Sequence, residues 1–297
     1  MSSAEMSPAN GLDLDDRQRA MLQEMGVKVW LPKTSAAQDL QAVGVPAVGP
    51  EVPSIAIAQP VQGSAAPQTP VAEKILAAFV IKPRAPAALQ NLYNGQLGWL
   101  ELQKAVRDCR ACSLCDGRKQ AVFGVGQATT EEAQAPRVDW LIVGEAPGEQ
   151  EDQVGEPFVG PAGQLLDNML KAMQLNRRHN VYIANVIKCR PPHNRNPADD
   201  EIAQCSPFLH RQIALLQPKI IVAMGRFAVN TLLQSTVADV QKLPLGKLRG
   251  QVHRYVHEGR DIPVIASYHP AYLLRNLPEK AKSWADLCLA LETYRSL

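Results

Sequence analysis

Four cysteines in two widely separated pairs carry the clearest chemical signal in this chain. Two residues separate Cys109 from Cys112, whereas fifteen residues separate Cys189 from Cys205. Thiolates are soft ligands, and a set of four suits either a tetrahedral zinc ion or an iron–sulfur cluster. Structural zinc sites usually combine two short Cys pairs. Because the second pair here is long, the spacing favours a [4Fe–4S] cluster over zinc.

The alternative is that these four residues are ordinary buried thiols. That alternative is plausible for Cys205, which shares a predicted helical face with two apolar residues. It is poor for Cys109 and Cys112, which lie in a polar stretch. Cys115 follows Cys112 by the same gap and is an alternative ligand. Cys288 belongs to an apolar C-terminal stripe and is predicted to lie in the core.

A second group of chemically capable residues follows short apolar runs. One run leads into the segment GEAPGEQED at 144–152, where small residues let the backbone approach a ligand and carboxylates offer acid–base or electrostatic function. Another run ends in Asn185, and a third ends before the segment SYHPAYLLR at 267–275. The glycine-rich turn is weak evidence alone, since it is neither a Walker A motif nor a dinucleotide fingerprint.

The elements that must position these residues are four predicted strands. They are Val138–Val143, Val181–Val186, Ile220–Ala223 and Val264–Ala266. Helical patterns separate them, which predicts an α/β fold with three layers, in which helices cover both faces of a central, mostly parallel four-stranded sheet. Ligands bind beyond the carboxyl ends of the strands in such sheets, and the polar segments fall there.

The composition sets the remaining expectations. The net charge of +2 over 297 residues is too small to indicate a partner. No run of about 18 apolar residues and no charged leader is present, so we expect a cytoplasmic protein with reduced thiols and no membrane association. We also expect the protein to be a monomer.

The N-terminal third differs from the rest. Residues 34–90 contain eight prolines and a single aromatic residue, which indicates a flexible, disordered linker. We therefore predict a Pro/Ala-rich tail over residues 1–90 and a folded domain over residues 91–297. Residues 13–31 form a short amphipathic segment, which either docks on a protein partner or is a transient helix without one.

The separated motifs together resemble the family 4, iron–sulfur, uracil-DNA glycosylases over about residues 100–297. The motifs that match in order and spacing are Cys109-x2-Cys112, GEAPGEQED, PFVGPAGQLL, ANVIKCRPP-x-NR-x-P, Cys205 and HPAYLL. The resemblance implies a glycosylase domain that flips uracil out of DNA and hydrolyses its N-glycosidic bond, leaving an abasic site for base excision repair. It also implies that Cys109, Cys112, Cys189 and Cys205 hold the [4Fe–4S] cluster.

The resemblance also implies roles around the uracil ring. Phe158 would stack on the flipped base, and Asn185 would read its polar edge, because an amide can donate to O4 and accept from N3–H. Glu151 would lie near C5 and disfavour the methyl group of thymine, although it could equally be a solvated surface residue. Gly144 and Ala146 belong to the loop that lines the same pocket.

The catalytic roles follow from the same resemblance. His269 would stabilise the anionic uracil leaving group at O2. Glu145 would either orient water or stabilise positive charge on the deoxyribose, and Ala146 stands where better known uracil-excising enzymes have an aspartate. Leu273 would be the wedge that fills the gap left by the base, with simple core packing as its alternative. Three arginines near the motifs could hold phosphates; they are Arg190, Arg195 and Arg275.

Two other functions compete with this interpretation. One is a related protein that binds uracil-containing DNA and crosslinks to it through a histidine in an inserted basic loop, where this chain has only the short segment 191–195. The other is a non-catalytic iron–sulfur module that binds nucleic acid and is attached to replication machinery by its tail.

Overall fold

A computed structural model describes residues 97–127 and 135–297 of this chain. The predicted tail, its amphipathic segment at 13–31 and the boundary near residue 90 lie outside the described residues. Within them, no helix is both long enough and apolar enough to cross a membrane.

Six strands form one mixed sheet in the described part of the chain. They are β1 Val125–Gly126, β2 Trp140–Gly144, β3 Val181–Asn185, β4 Ile220–Met224, β5 Val252–His257 and β6 Arg260–Ser267. Their order across the sheet is β1-β3-β2-β4-β6-β5. The central four strands are parallel, as predicted, and β1 and β5 add an antiparallel strand at each edge. These edge strands escaped prediction because β1 has two residues and β5 exposes two valines, Val252 and Val256, where an apolar pattern would place covered residues.

Helices connect and cover the strands. They are α1 Trp99–Asp108, α2 Leu114–Gly117, α3 Glu149–Val154, α4 Pro161–Ala172, α5 Asp199–Leu216, α6 Arg226–Leu233, α7 Leu245–Leu248, α8 Pro270–Arg275 and α9 Glu279–Arg295, with short 3-10 turns at Pro192–Asn194 and Val240–Lys242.

Two apolar cores lie on opposite faces of the sheet, because successive side chains of a strand point to opposite faces. On β2, Leu141 and Val143 belong to the core that α1, α5 and α6 cover. Trp140 and Ile142 belong to the other core, which α4 and α9 cover, and Cys288 packs against its edge. The α/β class and the covered parallel sheet are therefore confirmed.

The four parallel strands end at one edge of the sheet, and that edge positions the polar motifs. Gly144 pairs with Asn185 in the register of β2 and β3, and Met224 pairs with Ser267 in the register of β4 and β6. β2, β3 and β4 are buried along their whole length, and β6 is buried from Ile262 to its last residue. The chain therefore turns from the core directly into the loops that carry the predicted chemistry.

Candidate active site and thiol cluster

A cavity of about 730 Å³ opens at the carboxyl edge of the sheet. The loop after β2, the segment after β3, the start of α6 and the β6–α8 turn all contribute to its walls. Of the residues predicted from sequence, Glu145, Ala146, Glu151, Phe158 and His269 line it. The structure thus brings together side chains that lie up to 124 positions apart in the chain.

Phe158 forms one wall of this cavity in an unusual backbone conformation. Its φ angle is 57°, in the left-handed region that a bulky residue rarely occupies. Its ring is buried and faces the ring of His269, with centroids 5.4 Å apart and planes 25° apart. Gly163 at the start of α4 permits this geometry, since a Cβ atom there would overlap the Phe158 carbonyl group. An aromatic face is therefore presented beside the histidine.

Asn185 does not line this cavity but brings an unpaired polar group next to the Phe158 wall. Its side chain is 2% exposed, and its Oδ1 atom is buried without a hydrogen-bond partner among the described residues. Such an atom is costly to leave unpaired, which makes it a candidate for pairing with a ligand. A Cβ atom on neighbouring Gly144 would lie 2.6 Å from Phe158 Cζ and nearer still to this oxygen. The amide and the aromatic ring therefore converge over Gly144.

Glu151 is held rigidly by the backbone around Phe158. Its Oε1 atom accepts N–H bonds from Val159 at 2.9 Å and Gly160 at 3.0 Å, and its Oε2 atom accepts one from Gly148 at 3.1 Å. The side chain also lines the cavity. Glu151 is therefore a cavity residue held in place by hydrogen bonds, and not a solvated surface residue.

Glu145 is the carboxylate nearest the end of β4. Its Oε1 atom accepts the N–H of Phe227 at 3.4 Å, and Arg226 is a neighbouring charge. Burial raises the pKa of Glu145 above its ordinary value, while Arg226 and the backbone N–H groups oppose that shift. A side chain at Gly225 would overlap the carboxylate, so the turn after β4 shapes this part of the site.

His269 precedes α8 and caps it. Its Nδ1 atom accepts the Ala271 N–H at 3.2 Å, which assigns the proton of the neutral ring to Nε2. Burial, and secondarily Arg275, lowers the pKa of His269 to about 4, although Glu151 opposes the shift. The ring is therefore neutral near pH 7 and retains an N–H donor at Nε2.

Leu273 does not lie where the wedge prediction requires. It is 0% exposed and packs in the apolar core beside Phe158. Leu274, the next residue of α8, is 41% exposed, and Tyr272, the residue before Leu273, lines the cavity. The turn of this helix points the Leu273 side chain inward, which agrees with its core-packing alternative, and leaves Leu274 better placed to act as a wedge.

Two of the three predicted phosphate-binding arginines have protein partners. Arg195 forms two bonds with Glu201, at 2.8 Å and 2.6 Å, and Arg190 contacts Asn194 and Glu149. Arg275 is exposed and lines the cavity. Arg226, which was not predicted, has the same properties. The signal that would have found Arg226 is its place directly after a buried parallel strand.

Five of the six cysteines surround a much smaller cavity of about 10 Å³ beneath α1 and α5. They are Cys109, Cys112, Cys115, Cys189 and Cys205. Arg118 Nη1 donates to Cys189 Sγ at 2.9 Å, and the Lys188 N–H donates to Cys205 Sγ at 3.3 Å. Soft sulfur donors with N–H bonds to two of them fit an iron–sulfur cluster.

No group of three or more His, Cys, Asp or Glu side chains within residues 97–127 and 135–297 is arranged to hold a metal ion. The fit of the five cysteines to an iron–sulfur cluster therefore rests on their soft sulfur donors and on the convergence of the five thiols on one cavity. The sequence had separated Cys115 from the other four only by motif comparison.

Comparison with known proteins gives a consistent result. Residues 132–288 match the family described as the uracil DNA glycosylase superfamily. A protein of Sulfurisphaera tokodaii named type-4 uracil-DNA glycosylase is 38% identical over 200 residues, which cover 65% of this chain and 86% of the relative. Proteins of the same name are 40% identical in Archaeoglobus fulgidus, over 59% of this chain and 82% of the relative, and 41% identical in Thermotoga maritima, with the same two coverages.

Proposed function

The chain belongs to the uracil DNA glycosylase superfamily and, within it, to the type-4 enzymes, and from this membership we propose that it removes uracil from DNA. It is a DNA-repair hydrolase that flips uracil out of the helix and breaks its N-glycosidic bond. The observation that best supports this reaction at this site is the buried, unpaired Asn185 oxygen beside the Phe158 ring and the neutral His269.

Base recognition uses stacking and one amide. The uracil ring stacks on Phe158, and the Asn185 oxygen accepts N3–H while its NH2 group donates to O4. Cytosine presents the opposite pattern and would leave both groups unpaired, which costs more than the bonds themselves contribute. Glu151 stands beside C5, where its three backbone bonds keep it from yielding to the methyl group of thymine.

Bond cleavage uses His269 and Glu145. As the C1′–N1 bond breaks, its electron pair moves into the uracil ring, and the Nε2–H of His269 stabilises the charge that develops at O2. The Glu145 carboxylate stabilises the positive deoxyribose or orients the water that adds to C1′ and then loses a proton. Gly144 leaves room for the Asn185 amide beside the Phe158 ring, and Ala146 is a small lining residue next to Glu145.

DNA is held by the rim of the cavity. Leu274 projects from α8 and fills the gap in the stack after the base leaves it. Arg226 and Arg275 flank the opening and contact phosphates, which position the strand without reading its sequence.

Cys109, Cys112, Cys189 and Cys205 would hold a [4Fe–4S] cluster, and Cys115 lines the same cavity. These four residues come from the segment before β1 and from the loop and helix after β3, so the contribution of the group would be structural. Arg118 reinforces the link between these segments, because it also donates to the carbonyl oxygens of Arg107 and Cys109, at 2.5 Å and 3.1 Å.

One incubation tests this function. Purified protein is mixed with an oligonucleotide that contains a single uracil, and free uracil and alkali-labile abasic sites are measured, with cytosine and thymine oligonucleotides as controls. We expect release of uracil alone. Binding without base release would support the non-catalytic module instead.

Three variants connect the reaction to this cavity. Asn185→Ala and His269→Ala should each lose on the order of a hundredfold in excision rate, as for other preorganised donors. His193→Ala, in the exposed loop after β3, should keep the wild-type rate. A covalent protein–DNA adduct that His193→Ala abolishes would instead establish the crosslinking alternative.

A further inference from the structure

Arg177, in the loop between α4 and β3, reaches across to the Phe158 loop. Its Nη1 atom donates to the Pro157 carbonyl at 3.0 Å, and its Nη2 atom donates to the carbonyls of Phe158 at 2.5 Å and Gly163 at 3.3 Å. Its Nε atom donates to Asp167. The Arg177 side chain is 18% exposed, whereas that of Asp167 is 51% exposed. One guanidinium therefore satisfies three carbonyls around the aromatic wall of the active site.

The Phe158 loop requires such support because its backbone is strained. A non-glycine residue in the left-handed region costs of the order of 1–3 kcal/mol and persists only when its surroundings fix it. Glu151 fixes one side of the loop by accepting the N–H groups of Val159 and Gly160. Arg177 fixes the other side by donating to the carbonyls. The peptide groups on both sides of Phe158 are thus held by charged side chains.

We propose that Arg177 is a positioning residue for catalysis, which holds the Phe158 ring in the plane where it stacks on the flipped base. This inference rests on the proposed uracil excision. Arg177 does not line the cavity and acts only through Phe158. The planar guanidinium presents its donors in a fixed fork, which a lysine ammonium at this position does not reproduce.

The test compares Arg177→Met with Arg178→Met, because Arg178 is the adjacent arginine and is exposed. We expect Arg177→Met to lose about tenfold or more in kcat/KM for uracil excision, since small misplacements of positioning groups cost this much. Inhibition by free uracil should weaken as well. Affinity for abasic-site DNA, which lacks the base, should stay at the wild-type value, whereas general loss of structure would lower it.

A double-mutant cycle separates positioning from a merely structural role. Phe158→Gly removes the ring and adopts a positive φ without strain. If Arg177 acts through the ring, Phe158→Gly with Arg177→Met should excise no more slowly than Phe158→Gly alone. Losses that multiply would overturn the inference.

Two further outcomes are decisive. Should Arg177→Met fail to fold, Arg177→Lys is the second variant, because it keeps the charge. We expect it to show the same loss of kcat/KM, and a wild-type rate for Arg177→Lys would contradict the positioning role of Arg177. If the wild-type protein excises uracil and both Arg177→Met and Arg178→Met excise it at the wild-type rate, the inference is overturned and the proposed function is left intact. An inactive wild-type protein would overturn both.

Discussion

Gly144 and Asn185 lie side by side at the ends of two parallel strands, with no room for a side chain between them. They are partners in the β2–β3 register. A Cβ atom on Gly144 would overlap the Oδ1 atom of Asn185 and lie 2.6 Å from Phe158 Cζ. Neither neighbour can withdraw easily, because both are buried. The absence of a side chain at residue 144 is therefore a condition for an amide and an aromatic ring to meet in one pocket.

Replacing Gly144 by alanine should disable the pocket. The new methyl group must displace the Phe158 ring or the Asn185 amide, so we expect uracil excision to fall on the order of a hundredfold. Gly117→Ala is the control, since a Cβ atom there meets nothing within 4 Å. Equal excision rates for the two variants would show that the pocket lies elsewhere.

The pH dependence of excision should follow Glu145 and not His269. Burial raises the pKa of Glu145, so its carboxylate is lost and activity falls as pH drops through that raised value. His269 protonates only near its pKa of about 4 and so stays neutral through the upper part of that fall. The residual activity of Glu145→Gln should lack this acid limb, and that of His269→Gln should retain it. An acid limb that persists in Glu145→Gln would contradict the assignment.

Leu273 and Leu274 should give opposite results when each is changed to alanine. Leu273→Ala creates a cavity in the core and should lower the free energy of unfolding by about 2–5 kcal/mol. Leu274→Ala removes an exposed side chain, so stability should change little, while excision from duplex DNA should fall more than excision from single strands. Denaturant unfolding and excision assays on both substrates would measure the contrast, and the reverse pattern would restore Leu273 as the wedge.

The cluster proposal predicts a brown protein. After anaerobic purification we expect broad visible absorption with iron and sulfide in equal amounts, whereas bound zinc would be colourless. Cys189→Ala and Cys205→Ala should lose the colour and much of the stability. Cys115→Ala should keep the colour, as should Cys288→Ala, which changes a core thiol elsewhere. Loss of the colour in Cys115→Ala would show that Cys115 is a cluster ligand in place of one of the four proposed cysteines.

Deleting residues 1–90 should leave uracil excision nearly unchanged. The recognised motifs begin at Cys109, and the proline-rich stretch has too little large apolar surface to form a core. The new start must remain before Leu97 and Trp99, which are buried in the main core. A truncated protein that retains its thermal stability and visible spectrum but no longer excises uracil would place part of the DNA-binding surface in the deleted segment.

The central strands could be predicted because their sequence is apolar on both faces. Short runs such as Ile220–Ala223, separated by helical patterns, favour strands buried between two layers of helices, and the polar residues that follow parallel strands then share one edge. In the structure Glu145 and His269 line one cavity at this edge, and Asn185 ends the neighbouring strand β3. The same reasoning could not find the antiparallel edge strand β5, because its two valines are exposed while its two histidines are partly covered, so the exposure of this strand does not follow its apolar residues.

The sequence by itself predicted the candidate residues and their place beyond the ends of parallel strands, since residue types and the alternation of apolar runs with helical patterns are readable from the chain. Tertiary structure alone showed that Leu273 is buried and Leu274 exposed, because a six-residue helix has too little periodicity to specify which side faces the core. It also reveals the contacts on which the proposed role of Arg177 rests, since three of its partners are backbone carbonyls. Every residue has such a carbonyl, so only packing reveals which of them one arginine reaches.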